Sequence, residues 1–208
     1  MEITSQGLLS EFIFHDIEGI RTDLGDCISV LTPTNPDYYF GNFLLFPAPP
    51  KRGEIGDWMA RFDEIFASYP AVRHYTFQWL PTSRIEPAVE KALERARFQV
   101  DETSVLSATA VHTDKPAPEG VEFRPIQTDT EWRAVVDSQS RQGFPNIPMQ
   151  EYRRHKEAMF ANYRAMSDRG LGDWWGAFKG DTLVANMGLF FGDGIGRFQS
   201  VETAPKHR

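Results

Sequence analysis

The chain has 208 residues, of which 25% are charged and 41% hydrophobic, which is typical of one or two globular domains. Its formal net charge of −7 disfavours a nucleic-acid-binding protein, because such proteins normally present a basic face. Cys27 is the single cysteine, and the N-terminal residues lack a basic segment followed by an apolar run. We therefore expect a cytoplasmic protein without a disulfide, a signal peptide or a membrane span.

The first half of the chain alternates strand and helix patterns. Its strands are rich in β-branched and aromatic side chains, and its helices place apolar residues at helical spacing. In chain order the predicted elements are strands at 27–33 and 38–46, a helix at 55–70, a strand at 72–80, a helix at 85–97 and one or two closing strands within 98–111. A strand–helix–strand succession is a crossover, so this sheet is predicted to be at least partly parallel.

A linker separates the two halves. Residues 112–120, HTDKPAPEG, hold two prolines and a glycine among polar residues, which is typical of a connecting segment. We predict a boundary near residue 117, with one domain over 1–117 and a second over 118–208. In the second half the predicted elements are a strand at 121–127, helices at 128–142 and 149–170, a hairpin at 174–191 that turns at 179–181, and a last strand at 197–203.

Three short motifs each allow a functional and a structural interpretation. GDGIG, residues 192–196, precedes a strand rather than a helix, so we interpret it as a hairpin turn and not as a phosphate loop. PAPPKRGE, residues 47–54, is interpreted as a surface loop, although Lys51 and Arg52 would suit a phosphate. RRHK, residues 153–156, is interpreted as a solvated helix face, with contact to an anionic group as the alternative. The histidines lack metal-ligand spacing, so no metal site is expected.

The second half carries two patterns of a known family. Residues 177–185 fit the pattern x-x-G-x-x-V/L-V-G/A, with Gly180 at the turn. Val201, Pro205 and Arg208 fit the pattern V-x-P-x-x-R, interrupted before the proline. With a strand, two helices and a three-stranded meander, this half resembles the opening half of the GNAT superfamily, the acyl-CoA-dependent N-acyltransferases.

The first half resembles the other end of the same fold. Residues 91–111 are similar to the family's last helix and closing strands, with Arg97 where glycine is usual. Residues 38–46 resemble the fourth strand, and 47–54 the phosphate loop without its G-x-G spacing. The resemblance implies an α/β chain of mixed sheets with a tandem GNAT-like fold. Its first unit is degenerate and omits the family's first two helices, and its second unit is incomplete, truncated at Arg208 before the pyrophosphate loop.

The resemblance also implies an activity, N-acetyl transfer from acetyl-CoA to a primary amine of a small molecule, without a metal. Backbone groups of Val201, Glu202 and Thr203 are expected to pair with the pantetheine amides of acetyl-CoA. Arg208 would begin the loop that binds the pyrophosphate. Without the rest of that loop, three charge-assisted hydrogen bonds to acetyl-CoA are lost. We therefore expect acetyl-CoA to bind more weakly by about 5–9 kcal/mol and the acetyl-transfer activity of this chain to be impaired.

On the acceptor side, Glu202 is the predicted general base. It alternates away from its strand neighbours and so faces one side of the sheet, where a partly desolvated carboxylate can take a proton from an ammonium. A solvated or salt-bridged strand-end glutamate is the alternative. Phe144, with Trp174 and Trp175, is predicted to bind the acceptor. The alternative interpretation is that these aromatic side chains only pack in the loop and in the core.

A second function remains open at this point, a non-catalytic GNAT-like module that binds a small molecule or serves assembly. A last strand without a neighbour would leave an exposed edge, and exposed edges pair with other chains. A homodimer formed through that edge is therefore expected. Neither hypothesis involves a nucleic acid or a membrane.

Overall fold

The computed structural model describes residues 1–111, 116–141, 143–145 and 147–208. The first part of the predicted linker, residues 112–115, lies outside the described residues, as do Gln142 and Asn146. The chain divides into two compact units, Met1–Ser107 and Ala108–Arg208, a division somewhat N-terminal to the boundary predicted at residue 117. Each unit is built on one four-stranded sheet, so the predicted mixed α/β class is confirmed.

The sheet of the first unit is mixed. Its strands are β1 (Ile20–Asp23), β2 (Ile28–Leu31), β3 (Phe43–Phe46) and β4 (Phe77–Trp79), in that order. Strand β2 is antiparallel to both β1 and β3, and β4 lies parallel to β3. Helix α2 (Ile55–Phe66) forms the crossover between β3 and β4, as the strand–helix–strand succession predicted.

The first unit also contains a helix that the sequence did not predict. Helix α1 (Gln6–Glu18) begins after Ser5, whose hydroxyl accepts a hydrogen bond from the Leu8 backbone N–H. Phe12 of this helix packs against Val30 and Phe43 of the sheet. No element was predicted for this segment from the sequence.

The predicted closing strands of the first unit are absent. Helix α3 (Pro87–Arg95) lies within the helix predicted at 85–97, but described residues 98–111 contain no strand. Val105 is 54% exposed and Leu106 is 94% exposed. The apolar pattern suits a strand, but a strand forms only where a partner edge supplies hydrogen bonds, and this segment pairs with neither edge of its sheet.

The second unit follows its predicted order closely. Its antiparallel sheet consists of β5 (Glu122–Pro125), β6 (Gly172–Lys179), β7 (Thr182–Gly192) and β8 (Ile195–Thr203), in that order. Two helices, α4 (Asp129–Ser140) and α5 (Met149–Asp168), lie between β5 and β6 in the chain. The GDGIG motif forms the β7–β8 hairpin turn, with Asp193 at φ +49° and Gly194 at φ +75°, so its interpretation as a turn is confirmed.

Both helices of the second unit cover the same face of its sheet. Trp174 of β6 contacts Trp132 of α4 and Phe160 of α5, with ring centroids 6.4 Å and 4.7 Å apart. Alternate residues of β7 are buried, among them Asn186 and Phe190, because successive strand residues point to opposite faces. In the described part of the chain, no helix is long and apolar enough to cross a membrane.

Candidate functional site

Strand β8 contains a β-bulge at Ser200. Its pairing with β7 is regular from Ile195 to Gln199 and resumes at Glu202, after a shift of register. Ser200 has φ +46°, a left-handed conformation that costs a residue with a Cβ about 1–2 kcal/mol. A bulge bends its strand and turns the following side chains, and such strain persists only where the surroundings hold it.

Gln139 of α4 holds the bulge from the helix-covered face. Its Nε2 donates to the Ser200 carbonyl at 2.7 Å and to Asn186 Oδ1 at 2.9 Å. Trp174 Nε1 also donates to Asn186 Oδ1, at 3.2 Å. Two donors on that oxygen define the orientation of the Asn186 amide. The Asn186 Nδ2 is consequently a buried donor that has no hydrogen-bond partner among the described residues.

Glu202 lies immediately after the bulge, where its side chain reaches α4. Its Oε2 accepts a hydrogen bond from Ser138 Oγ at 2.9 Å, and its side chain is partly buried. Ser140 Oγ, two residues further along α4, is buried without a hydrogen-bond partner among the described residues. Ser138 therefore links the end of α4 to the carboxylate that follows the bulge.

The first turns of α5 add an aromatic ring and a cation. Tyr152 stacks with Phe144 at a centroid distance of 6.4 Å, and Lys156 Nζ lies 5.4 Å from the centre of the Tyr152 ring. Burial raises the pKa of Tyr152, and the negative charge of Glu202 raises it further. Burial lowers the pKa of Lys156, and Glu202 acts against that shift. The Glu202 carboxylate thus lies within electrostatic range of both side chains.

Of the three aromatic residues predicted for the acceptor, the structure brings only Phe144 to this surface. Trp174 is 0% exposed and packs in the core, so its indole ring lines no open surface. Trp175, the next residue in the same strand, points to the face opposite the helices. The sequence could not separate these neighbours, since only packing decides which face the helices cover.

The residues expected to face a cofactor lie on β8, whose outer edge pairs with no other strand in the described part of the chain. The Ala204 N–H donates to the Val184 carbonyl at 2.8 Å, so by antiparallel alternation the backbone of Thr203 faces away from β7. The Thr203 carbonyl accepts from Arg208 Nε at 3.0 Å, and Val201 is 68% exposed. Of the three residues expected to pair through their backbones, Thr203 presents its groups to the edge. By the same alternation the backbone of Glu202 faces Asn186 of β7, so the expectation that it pairs with a cofactor was wrong, and its side chain lies on the helix-covered face.

Several polar residues of this region escaped the sequence analysis. Asn186 carried a usable signal, since it stands at a buried position of the apolar run LVANMGLFF. The others are ordinary helix residues whose role depends on tertiary contacts: Ser138, Gln139 and Tyr152.

Two other kinds of site find no support in the described residues. No group of three or more His, Cys, Asp or Glu side chains among them is placed to hold a metal ion. Cys27 is buried, and burial raises the pKa of its thiol to about 11, so that it stays protonated. A protonated thiol is a poor nucleophile.

Comparison with known proteins identifies similar folds. No family model matches the chain, and no curated protein matches its sequence. A functionally unknown conserved protein from Staphylococcus epidermidis ATCC 12228 has a TM-score of 0.68 at 10% identity, over 91% of this chain and 73% of that one. A GCN5-related N-acetyltransferase from Kribbella flavida has a TM-score of 0.57 at 12% identity, over 100% of this chain and 75% of that one. At such identities the likeness shows a GNAT-like fold.

Proposed function

We propose that this protein is a GNAT-type N-acetyltransferase that transfers an acetyl group from acetyl-CoA to a primary amine of a small molecule. The observation that carries the proposal is the bulge of β8 with the Glu202 carboxylate directly after it. This arrangement occurs in a fold similar to that of a GCN5-related N-acetyltransferase. The carboxylate faces the helices, where an acceptor amine can approach it beside the strand edge.

Glu202 is proposed to remove a proton from the acceptor ammonium, with Ser138 orienting the carboxylate through its 2.9 Å hydrogen bond. The neutral nitrogen then bonds to the acyl carbon while the C–S bond breaks. A second proton of the nitrogen ends on the departing sulfur, so that the products are the amide and the free thiol. Tyr152 stays protonated in this environment and is available as a hydrogen-bond donor.

Acetyl-CoA would supply the thioester as the activated acyl group. The outward-facing backbone groups of Thr203 fit the amides of an extended chain, because an unpaired strand edge presents donors and acceptors in alternation. Val201, beside it, is exposed and would contribute its backbone at the same edge. Arg208 offers a guanidinium that suits a phosphate, provided that it leaves the Thr203 carbonyl.

The test is an acetyl-transfer assay on the 208-residue chain with a panel of primary amines, following the release of thiol. Acetyl-CoA is supplied at a saturating excess, so that the assay reports kcat. Glu202→Gln should lower kcat by about 10²–10⁴-fold, the usual contribution of a general base. Glu157→Gln is the matched control, since Glu157 is an exposed carboxylate of α5 paired with Arg153. Thiol release that does not depend on any amine, or an unchanged kcat in Glu202→Gln, contradicts the proposal.

A non-catalytic GNAT-like module for binding or assembly is the second candidate. The observation that favours it is the outer edge of β8, which is unpaired among the described residues, with Phe198 and Val201 exposed along the strand. In this case the protein would form a homodimer through that edge and bind amines without releasing thiol. Sedimentation of the same sample used for the transfer assay distinguishes the two candidates.

A further inference from the structure

The face of the second sheet that is turned away from α4 and α5 is apolar. Residues directly opposite each other in antiparallel strands share a face, so Trp175 and Met187 project together on the side opposite Trp174. The same register defines the apolar face by its large side chains: Phe123, Trp175, Met187, Leu189, Phe191 and Phe198. An antiparallel sheet that leaves one face in water normally makes that face polar. The apolar face is therefore suited to be covered by another layer.

Water reaches the large side chains of the apolar face in the single chain. Phe123, Phe191 and Phe198 are 52–55% exposed, and Val201 is also exposed. Val201 belongs to this face because it alternates with Glu202, whose side chain reaches α4. With the partly exposed side chains between them, these residues present roughly 500 Å² of apolar surface, at about 100 Å² for each half-exposed phenylalanine. A typical monomer rarely exposes a larger contiguous patch, and such patches are often binding surfaces.

The size of the apolar face matches what one copy contributes to a stable homodimer. A standard interface buries about 800 Å² on each partner, and about 65% of a homodimer interface is apolar. One partner therefore contributes about 520 Å² of apolar surface, which is close to the area of the apolar face.

The apolar face is complementary to itself in shape. Large rings alternate with small residues, since Phe191 pairs with Gly196 across β7 and β8, and Phe123 pairs with Ala177 across β5 and β6. Two faces of this kind can interdigitate as the inner layers of a β-sandwich, about 10 Å apart.

The charges of the apolar face also allow it to meet a second copy. The net charge of −7 on average disfavours contact between two copies. In the described strands, the charged side chains of this face stand at the two ends of β6, Asp173 and Lys179. A two-fold axis perpendicular to the strands makes the strands of the two copies run in opposite directions, which brings Asp173 of each copy near Lys179 of the other. Opposite charges then meet at both ends of an uncharged centre.

We propose that the apolar face binds the same face of a second copy, so that the protein is a homodimer in which the two second-unit sheets form a sandwich. This interface differs from a pairing of β8 edges, because it buries side chains of all four strands rather than backbone groups of one strand. It involves neither the edge of β8 nor the helix-covered side of the sheet, where the Glu202 side chain lies. The dimer therefore does not depend on the proposed acetyl transfer and is compatible with it.

The experiment measures the mass of the full chain by sedimentation, at chain concentrations up to about 100 µM. The unmodified chain should form a particle of twice the mass of one chain. Phe123→Lys and Phe198→Lys should each raise the dimer dissociation constant at least about 100-fold, because each dimer loses two buried rings and gains two buried lysines. Phe40→Lys is the matched control, since Phe40 of the first unit is 56% exposed, and the dimer should persist in this variant. Circular dichroism checks that each variant is folded, and Phe123→Ser and Phe198→Ser replace a lysine variant that is not.

Every result supports or overturns the inference. A monomeric unmodified chain overturns it, and so does a dimer that persists in either Phe123→Lys or Phe198→Lys. A dimer that is lost only in Phe198→Lys supports pairing through the edge of β8 instead, because Phe123 lies on β5 at the other side of the sheet. Equal loss of the dimer in Phe40→Lys also overturns the inference, because it indicates a general effect of the added charge. Loss in both variants of the apolar face, with a dimer retained in Phe40→Lys, supports it.

Discussion

Replacement of Gln139 by methionine tests the origin of the bulge that shapes the proposed site. Gln139 Nε2 donates to the Ser200 carbonyl at 2.7 Å and to Asn186 Oδ1 at 2.9 Å, and methionine of similar volume can do neither. Asn186 Oδ1 keeps its hydrogen bond from Trp174, but the Ser200 carbonyl loses the hydrogen bond from the Gln139 side chain. Fewer contacts then hold Ser200 in its strained left-handed conformation.

The expected magnitude follows from these contacts. A hydrogen bond contributes about 1 kcal/mol net, and a partly buried acceptor left unsatisfied costs about 1–3 kcal/mol. Gln139→Met should therefore lower the free energy of opening of β8 by about 2–4 kcal/mol. Ser200→Gly alone should raise the free energy of opening of β8 by up to about 1 kcal/mol, because glycine adopts this φ without strain.

The assay is native-state hydrogen exchange of the backbone amides of β7 and β8, which reports local opening within one unit of a two-unit chain. Gln150→Met is the control, since it makes the same change at an exposed position of α5. If Gln139→Met changes the opening free energy by less than about 0.5 kcal/mol, or no more than Gln150→Met does, Gln139 does not hold the bulge.

Two further predictions concern stability. Arg97 has φ +66° at the end of α3, so Arg97→Gly should raise the unfolding free energy of the first unit by about 0.5–1 kcal/mol in denaturant titrations, and a decrease would contradict this reasoning. Burial raises the pKa of Glu131, but hydrogen bonds from the Thr128 and Gln127 backbones and from Arg124 outweigh burial and lower it from 4.5 to about 2. Because the folded-state pKa is depressed, this stabilisation is present above about pH 4.5 and is lost as the pH falls towards about 2, so Glu131→Gln should flatten the loss of stability in that window. An equally steep acid profile in the variant would show that other carboxyl groups dominate.

Much of the second unit could be predicted because its signals are local. Thr128 and Glu131 form the capping box that starts α4, with the two side chains satisfying each other's backbone N–H groups within one helical turn. Gly180, at φ +58°, marks the β6–β7 turn, since few other residues adopt that conformation without strain. Arg97 shows the same principle in reverse, because the backbone at the end of α3 takes a left-handed φ where glycine would be usual.

The tertiary structure decided what depends on distant partners. The apolar pattern of residues 98–111 suits a strand, but hydrogen bonds from another strand are required to form one, and no sequence window contains that partner. Ser200 gives no local sign of a bulge, because the bulge is held by Gln139 from a helix 61 positions away in the chain. Lys156 stands in the basic run RRHK, and only the packing of α5 separates it from its exposed neighbours. Turns and caps are determined within a few residues, whereas pairing and burial are determined by the rest of the molecule.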